Sequence, residues 1–257
     1  MRVKQLLRDL MFPPRCVSCG TRLDVALTDG PTPLFCKACR LELAQQQLSQ
    51  CPQCFSPHCN CRCAPQILAK AGCVSFRKLA PYGEPGKYAA DRLVRSLKVH
   101  PRTRVIDACV QNLAPILREE VAQQNEKTPI SHTVIAYLPR SRRKVVQYGF
   151  DQARELALAL SKETGIEMRP LLKRARDGKP QKELSVRERE QNLRGAFSLC
   201  GDAMGLRVVL VDDVVTTGAG MAEGTRVLIK GGAAQVICLS LAATVKRNAA
   251  KSIQKSS

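Results

Sequence analysis

The stretch Val208-Val209-Leu210-Val211-Asp212-Asp213-Val214-Val215-Thr216-Thr217-Gly218-Ala219-Gly220 decides how this chain is read. Its opening apolar run, Leu206 to Val211, has the length and β-branched content of a buried strand. Two adjacent carboxylates stand at the end of that run. The turn Thr216–Gly220 then leads into a segment expected to be helical over roughly 221–230. In an open α/β fold, ligands bind at the C-terminal edge of the strands. Small residues in the turn let backbone N–H groups close around an anion, and threonine hydroxyls add donors at the positive end of a helix. Acids on one side and an anion cradle on the other suit a phosphorylated sugar whose hydroxyls, or whose metal, meet Asp212 and Asp213.

The same alternation of periods extends outward from this stretch. Val134 to Leu138 reads as a buried strand stopped by Pro139, and Gln235 to Ala242 as another. Arg169 to Leu172 reads as a short strand. Residues 87–98, 105–122 and 150–163 repeat apolar residues every three or four positions, as amphipathic helices do. Residues 173–196 are polar and highly charged without apolar periodicity, and are expected to form a loop or mobile flap. Strands alternating with helices mean an α/β fold with a mostly parallel sheet.

Composition sets outer bounds. The 257 residues include 41 Lys or Arg and 22 Asp or Glu, a net charge of +19, with 44% hydrophobic residues and 4% aromatics. That apolar fraction excludes wholesale disorder and fits one or two globular domains. No run of about 18 apolar residues exists, so no membrane-spanning helix is expected. The first fifteen residues hold no apolar run long enough for a secretion signal, and a cytoplasmic location is expected.

The thirteen cysteines divide the chain near residue 73. Nine fall between Cys16 and Cys63, in the pairs Cys16/Cys19, Cys36/Cys39 and Cys51/Cys54, and in the cluster His58-Cys59-Asn60-Cys61-Arg62-Cys63. In a reducing compartment such a cluster points to metal ligation rather than disulfides. Each C-x2-C pair aims two sulfurs at one point, and two pairs complete a tetrahedral Zn²⁺ site. Eight ligands and two structural zincs are expected: Cys16, Cys19, Cys36, Cys39, Cys51 and Cys54, with Cys59 and Cys63 preferred over Cys61 and His58 because a one-residue gap bends awkwardly around one metal. The pairs combine either in sequence or first with third. An iron–sulfur or redox cluster is the alternative. All-thiolate zinc leaves no open position for a catalytic water, so the chemistry is expected elsewhere.

The stretch from Val208 to Gly220 resembles the phosphoribosyl pyrophosphate (PRPP) motif of type I phosphoribosyltransferases. Leu138-Pro139-Arg140-Ser141-Arg142-Arg143-Lys144 with Gly149-Phe150-Asp151-Gln152, and Gln181, Leu184-Ser185, Arg187, Arg189, Asn192-Leu193 and Gly195-Ala196-Phe197, narrow the resemblance to the ComF family. That family joins an N-terminal zinc ribbon to a phosphoribosyltransferase domain. The resemblance spans roughly residues 13–245. It implies a type I phosphoribosyltransferase fold over 74–245, with 74–130 as the acceptor hood, and a double zinc ribbon over 1–73; the basic composition of 246–257 predicts a disordered tail. It further implies PRPP held with Mg²⁺ by Asp212, Asp213, Val215, Thr216, Thr217, Gly218, Ala219, Gly220, Pro139 and Arg140. Asp212, Asp213, Arg143 and Lys144 would be the catalytic set, and Arg187, Arg189 and Arg194 would act in flap closure. Three positions depart from the family pattern: Gly220 where Thr or Ser is usual, Tyr148 where Arg is usual, and Asp151 where Asn is usual.

The charge of +19 exceeds what a small anionic substrate needs and favours nucleic acid. Arg15, Arg22, Lys37, Arg40 and Arg62, with Arg92, Arg95 and Lys98, are candidates to track a phosphate backbone. With so few aromatics, binding to DNA, single-stranded in the first instance, is expected to be weakly sequence-specific and strongly salt-dependent. The resemblance adds an uptake-machinery protein as a partner. Two functional readings follow: a PRPP-dependent glycosyltransferase of unknown acceptor acting in the uptake or use of DNA, or a non-catalytic nucleic-acid-binding or regulatory module on the same fold.

Overall fold

In a computed structural model, the structure describes residues 12–23, 32–83, 86–99, 103–130, 132–175 and 193–244. Its centre is β5 (Arg207–Val215), apolar from Val208 to Val211 and hydrogen-bonded on both sides. The main sheet has the order β1-β6-β5-β2 and every neighbour is parallel, with β1 at Cys73–Tyr82, β2 at Thr133–Tyr137 and β6 at Gln235–Thr244. The parallel-sheet expectation holds. All four strands therefore end on one edge of the sheet.

Successive strand residues face opposite sides, and β5 buries different partners on each. Val209 and Val211 belong to an apolar cluster with α3 (Ala89–Val99), α4 (Thr103–Lys127) and α6 (Gln152–Thr164). Val208 and Leu210 belong to a second cluster with α2 (Gln66–Ala69) and α7 (Ala219–Lys230). A Cβ on Gly224 of α7 would stand 2.8 Å from a Leu138 methyl and 3.1 Å from one of Leu210, so only glycine lets this helix approach the sheet so closely.

Three expectations change. First, Cys73–Tyr82 is an edge strand of the main sheet, within a segment expected to supply only a helical hood. Its centre, Arg77-Lys78, hides the strand from an apolar pattern, yet both side chains are buried. Second, the short strand expected at Arg169–Leu172 forms instead as β3 at Leu172–Arg174. It pairs antiparallel with β4 (Phe197–Leu199), outside the main sheet. Pro170, which has no N–H to donate, marks where the chain leaves β2, which it touches only at the Ile135–Met168 bridge. Third, the two ends of the segment 173–196 expected as a flap are fixed, by β3 and by buried Leu193 and Ala196, while residues 176–192 between them lie outside the described residues. Gln181, Leu184, Ser185, Arg187, Arg189, Asn192 and the tail from 246 lie outside the described residues.

The cysteine-rich part shares its core with the sheet. Cys16, Val17, Leu23, Cys39 and Leu43, the last two on α1 (Lys37–Leu48), pack in the same apolar cluster as α3 and α4. Below them lies a buried ion group. Arg77 donates to Glu120 (2.7 Å), to Glu119 (3.1 Å) and to the Cys59 carbonyl (2.8 Å), and Arg62 adds a 2.9 Å bond to Glu120. At the other end of the sheet, buried Arg207 donates to the Gln124 and Thr128 carbonyls at the C-terminus of α4, to Asn125 and to Gln235. These bonds satisfy carbonyls that a helix end leaves open.

Burial pushes the Glu120 carboxyl up, but donors from Gln124, Arg77 and Ser75 and the charge of Arg62 outweigh it and hold the group at about 2, against an ordinary 4.5. Its contribution to stability is therefore complete above pH 4.5 and is lost as pH falls through about 2. Glu120→Gln leaves Arg77 buried without its main partner and is expected to cost about 3–5 kcal/mol at neutral pH. Denaturant unfolding at a series of pH values checks both points: the gap between wild type and variant should close as pH falls through that window, and a gap constant with pH would refute the assignment.

Candidate phosphate site and cysteine centres

Asp212 and Asp213 lie within β5, three and two residues before its last residue Val215, rather than at a strand terminus. Beside them β2 has already stopped, since its last register partner is Tyr137 opposite Val211, whereas pairing with β6 continues to Val215. The acids thus border a gap on the C-terminal edge of the sheet. Alternation sends Asp213 to the side of α3 and α6, and Asp212 to the side of α7. Asp213 is buried and meets two cations: Arg140 Nη2 at 2.5 Å, and Lys98 Nζ at 3.6 Å from α3. Burial alone would raise the Asp213 carboxyl, but Arg140 and Lys98 bring it below its ordinary value. Asp212 has no cation within ion-pair distance among the described residues. Burial and the neighbouring Asp213 charge raise its carboxyl well above the usual range, while it accepts a 2.8 Å bond from the Asp213 amide.

Arg140 is held from three sides. Its backbone N–H donates to Asp151 Oδ2 at 2.8 Å, its guanidinium bonds Asp213, and it lies 5.9 Å from the centre of the Tyr148 ring. Asp151 also caps α6 by accepting from the Ala153 and Arg154 amides. Two of the three departures, Tyr148 and Asp151, thereby position one cation of the site. Pro139 precedes it, and Ser141 caps α5 (Arg142–Tyr148), a short helix with no buried residue. Arg143 on α5 is exposed and has no polar partner among the described residues. Lys144 is exposed as a residue, but partial burial of its ammonium and the like charge of Arg140 lower its pKa, against the pull of Asp212 and Asp213.

After Val215 the chain turns through Thr216 and Thr217 to Gly218, which precedes α7 at φ +81°. A Cβ there would be strained and would approach Pro65 at 3.2 Å, so residues that follow the last cysteine pack directly on this turn. The N–H groups of Thr216, Thr217, Gly218 and Gly220 have no acceptor among the described residues, while the Ala219 amide meets Thr217 Oγ1 at 3.4 Å. The third departure has a packing cause: a Cβ on Gly220 would stand 3.2 Å from a Leu138 methyl.

The cysteines gather into two groups of four, Cys16/Cys19/Cys36/Cys39 and Cys51/Cys54/Cys61/Cys63, with all sulfurs of a group within 4.8 Å of one another. Tetrahedral zinc with Zn–S near 2.3 Å separates its sulfurs by about 3.8 Å, the distance between Cys19 and Cys36, 3.8 Å. Both groups therefore fit Zn²⁺, and pairs combine in sequence. Cys59, preferred on spacing, is not among the gathered sulfurs and Cys61 takes its place. The chain bends back at Cys59, whose carbonyl accepts from Arg77, and a turn through the His58 carbonyl to the Cys61 amide (3.3 Å) aims Cys61 inward. The first and third pairs share one turn, with Gly20 N–H to Cys16 O at 2.9 Å and Phe55 N–H to Cys51 O at 2.8 Å. Gly20 has φ +78°, and Phe55 adopts the same left-handed region at +58°. The Ser56 amide lowers the Cys54 thiol to about 6, toward the thiolate that binds metal.

Several cations proposed to track DNA are occupied inside the protein. Arg62 serves Glu119 and Glu120, Arg92 serves Glu42 at 2.6 Å, and Lys98 serves Asp213. Lys98 joins the acid pair only through the fold: it stands 115 positions before Asp213 in the chain, and no local pattern marks it.

Sheet, acid pair and glycine turn define the class, an α/β domain of the type I phosphoribosyltransferase fold, here carrying cysteine groups fit for zinc. The phosphoribosyl transferase domain family matches residues 148–256. DNA utilization protein YhgH of Salmonella typhi is 31% identical over 237 residues, covering 90% of this chain and 98% of that protein. YhgH of Escherichia coli (strain K12) is 30% identical, covering 80% and 96%. Competence protein F of Haemophilus influenzae is 37% identical over 98 residues, covering 37% and 43%. The chain belongs to the ComF family that these proteins represent. No helix among the described residues is long and apolar enough to cross a membrane.

The cysteine geometry makes a direct prediction. Metal analysis should find about two zincs per chain, about one in Cys61→Ser, and an undiminished two in Cys59→Ser. Loss of zinc on changing Cys59, with retention on changing Cys61, would reverse the assignment.

Proposed function

We propose that the chain binds PRPP at the edge of β5 and transfers its phosphoribosyl group to an acceptor in the use of exogenous DNA. The observation that carries this reading is the turn Thr216–Gly220. The N–H groups of Thr216, Thr217, Gly218 and Gly220, without an acceptor among the described residues, lead into the twelve-residue helix α7, beside two acids at the point where β2 ends. Amides at a helix N-terminus favour a phosphate, and Asp212, half-buried and without an ion-pair partner among the described residues, suits a ribose hydroxyl. Val215, Thr216, Thr217, Gly218, Ala219 and Gly220 would enclose the 5′-phosphate, with Pro139 and Arg140 beside the diphosphate.

Departure of diphosphate leaves the anomeric carbon with oxocarbenium character, as in glycoside cleavage. Arg143 and Lys144, on a short helix one turn from Arg140, would neutralise the leaving charge. Mg²⁺, arriving with PRPP, would add charge neutralisation on the diphosphate. Asp213, kept ionised by Arg140 and Lys98, fixes Arg140 in register with the turn. The relatives' names, DNA utilization and competence proteins, support DNA use as the setting.

Thermal unfolding with PRPP and Mg²⁺ tests the reading. At a hundred times the dissociation constant, binding adds about 2.7 kcal/mol and raises the midpoint by a few degrees; Asp212→Asn/Asp213→Asn should abolish the rise. Absence of a rise in wild type, or its persistence in the double variant, would sink the proposal.

One observation favours a second reading, a nucleic-acid module without transfer activity. Gly220 offers no side-chain donor to a phosphate, and Leu138 crowds the space such a donor would fill. Fluorescence anisotropy with a single-stranded oligonucleotide separates the two. Binding that weakens about 50-fold between 50 and 200 mM salt, as about four phosphate contacts on a single strand require, and that survives the double Asn substitution, would support nucleic-acid binding at a separate surface. A flat salt response would exclude it.

A further inference from the structure

Lys78, at the centre of β1, is 2% exposed. A buried ammonium demands an anion, yet no carboxylate lies within ion-pair distance of it among the described residues. Among the described residues its one hydrogen bond goes to Cys61 Sγ at 3.2 Å; it also lies 5.6 Å from the centre of the Phe76 ring, and its charge acts on the buried His58. The first cysteine group shows the same arrangement. Arg92 of α3 donates from Nη2 to Cys39 Sγ at 3.4 Å, but it is less buried and shares its charge with Glu42. Each four-cysteine group thus receives one cation from an element of the phosphoribosyltransferase-type domain, through a ligand sulfur.

We propose that Lys78 and Arg92 are the counter-ions of the two zinc centres, and that they tie metal occupancy to the sheet. The proposal rests on the reading of both groups as zinc sites. Four thiolates around one Zn²⁺ carry a net charge of about −2, and the cation at each centre offsets half of it. Hydrogen bonds to ligand atoms set ligand orientation and metal affinity. The attachment runs in both directions. With metal bound, Lys78 has its anion, and the loop Cys51–Cys63 is clamped over the edge of the sheet. Without metal, nothing gathers the four sulfurs, and Cys61 Sγ is no longer held against the buried ammonium. Arg92 lies six residues before Lys98 on α3, and Lys98 contacts Asp213. The first centre therefore steadies the helix that delivers a cation to the acid pair. The asymmetry in burial ranks the effects: Lys78 should matter more to the second centre than Arg92 does to the first.

The full-length chain loaded with zinc tests this by competition with a chromophoric chelator, which measures the affinity of each centre. Lys78→Met should weaken one zinc by roughly 10–100-fold and leave the other as in wild type. Arg92→Met should weaken the other zinc by less, and Lys78→Arg should restore most of the loss. In the cobalt-substituted chain, removing the donor from Cys61 should move the thiolate-to-metal charge-transfer band to lower energy in Lys78→Met but not in Lys162→Met, a surface control. Should Lys78→Met fail to fold, Arg92→Met carries the comparison at the first centre: a weakened zinc there supports the proposal, and wild-type affinity with an unshifted cobalt spectrum overturns it. Wild-type affinities at both centres in Lys78→Met and Arg92→Met, with unshifted cobalt spectra, would overturn the proposal. A wild-type chain without zinc would remove the metal reading itself, and the proposal with it.

Discussion

Two consecutive cations, Arg77 and Lys78, lie inside this protein on an edge strand, and the surrounding structure is arranged to supply their anions. Arg77 faces α4 and meets Glu120 and Glu119. Lys78 faces the other side of the sheet and meets Cys61. Between them the loop from Cys51 to Cys63 wraps the edge of β1, with the Cys59 carbonyl on one cation and a Cys61 sulfur on the other. An uncovered edge strand exposes a row of unpaired backbone groups, and natural proteins cover or charge such edges. Here the cover is the cysteine-rich loop, and buried charge holds it in place.

This constraint makes the cysteine module part of the domain rather than an appendage. Cys16, Cys39 and Leu43 share an apolar cluster with α3 and α4, and Pro65, just past Cys63, sits against Gly218 in the turn before α7. Three routes therefore connect the cysteine centres to the edge of β5: Lys78 through β1, Arg92 through α3, and Pro65 by direct contact. The departures from the family pattern also serve the site. Tyr148 and Asp151 together fix Arg140, and Gly220 leaves room for Leu138.

The central strand, the acid pair, the glycine turn and the first three cysteine pairs were legible because each is a short pattern whose physics is complete within about ten residues. An apolar run means burial, two cysteines two apart aim at one point, and a small-residue turn before a helix leaves amides free. β1 was not legible, because its burial depends on charges neutralised from residues 17 to 43 positions away. Cys61 was preferred less than Cys59 for a related reason: the spacing argument assumed a plain chain, whereas Arg77 pulls the Cys59 carbonyl aside and the turn rotates Cys61 toward the centre.

Local sequence by itself determined the fold class, the place of the acids and turn on the sheet edge, and the presence of two four-cysteine groups, since hydrophobic period, turn chemistry and ligand spacing act between near neighbours. Only the tertiary structure decided which cysteine completes the second group, that Lys98 and Arg140 share Asp213, and that Lys78 and Arg92 face sulfur. Those contacts join residues far apart in the chain, and what selects them is the cost of leaving a buried charge without a partner, which no local pattern records.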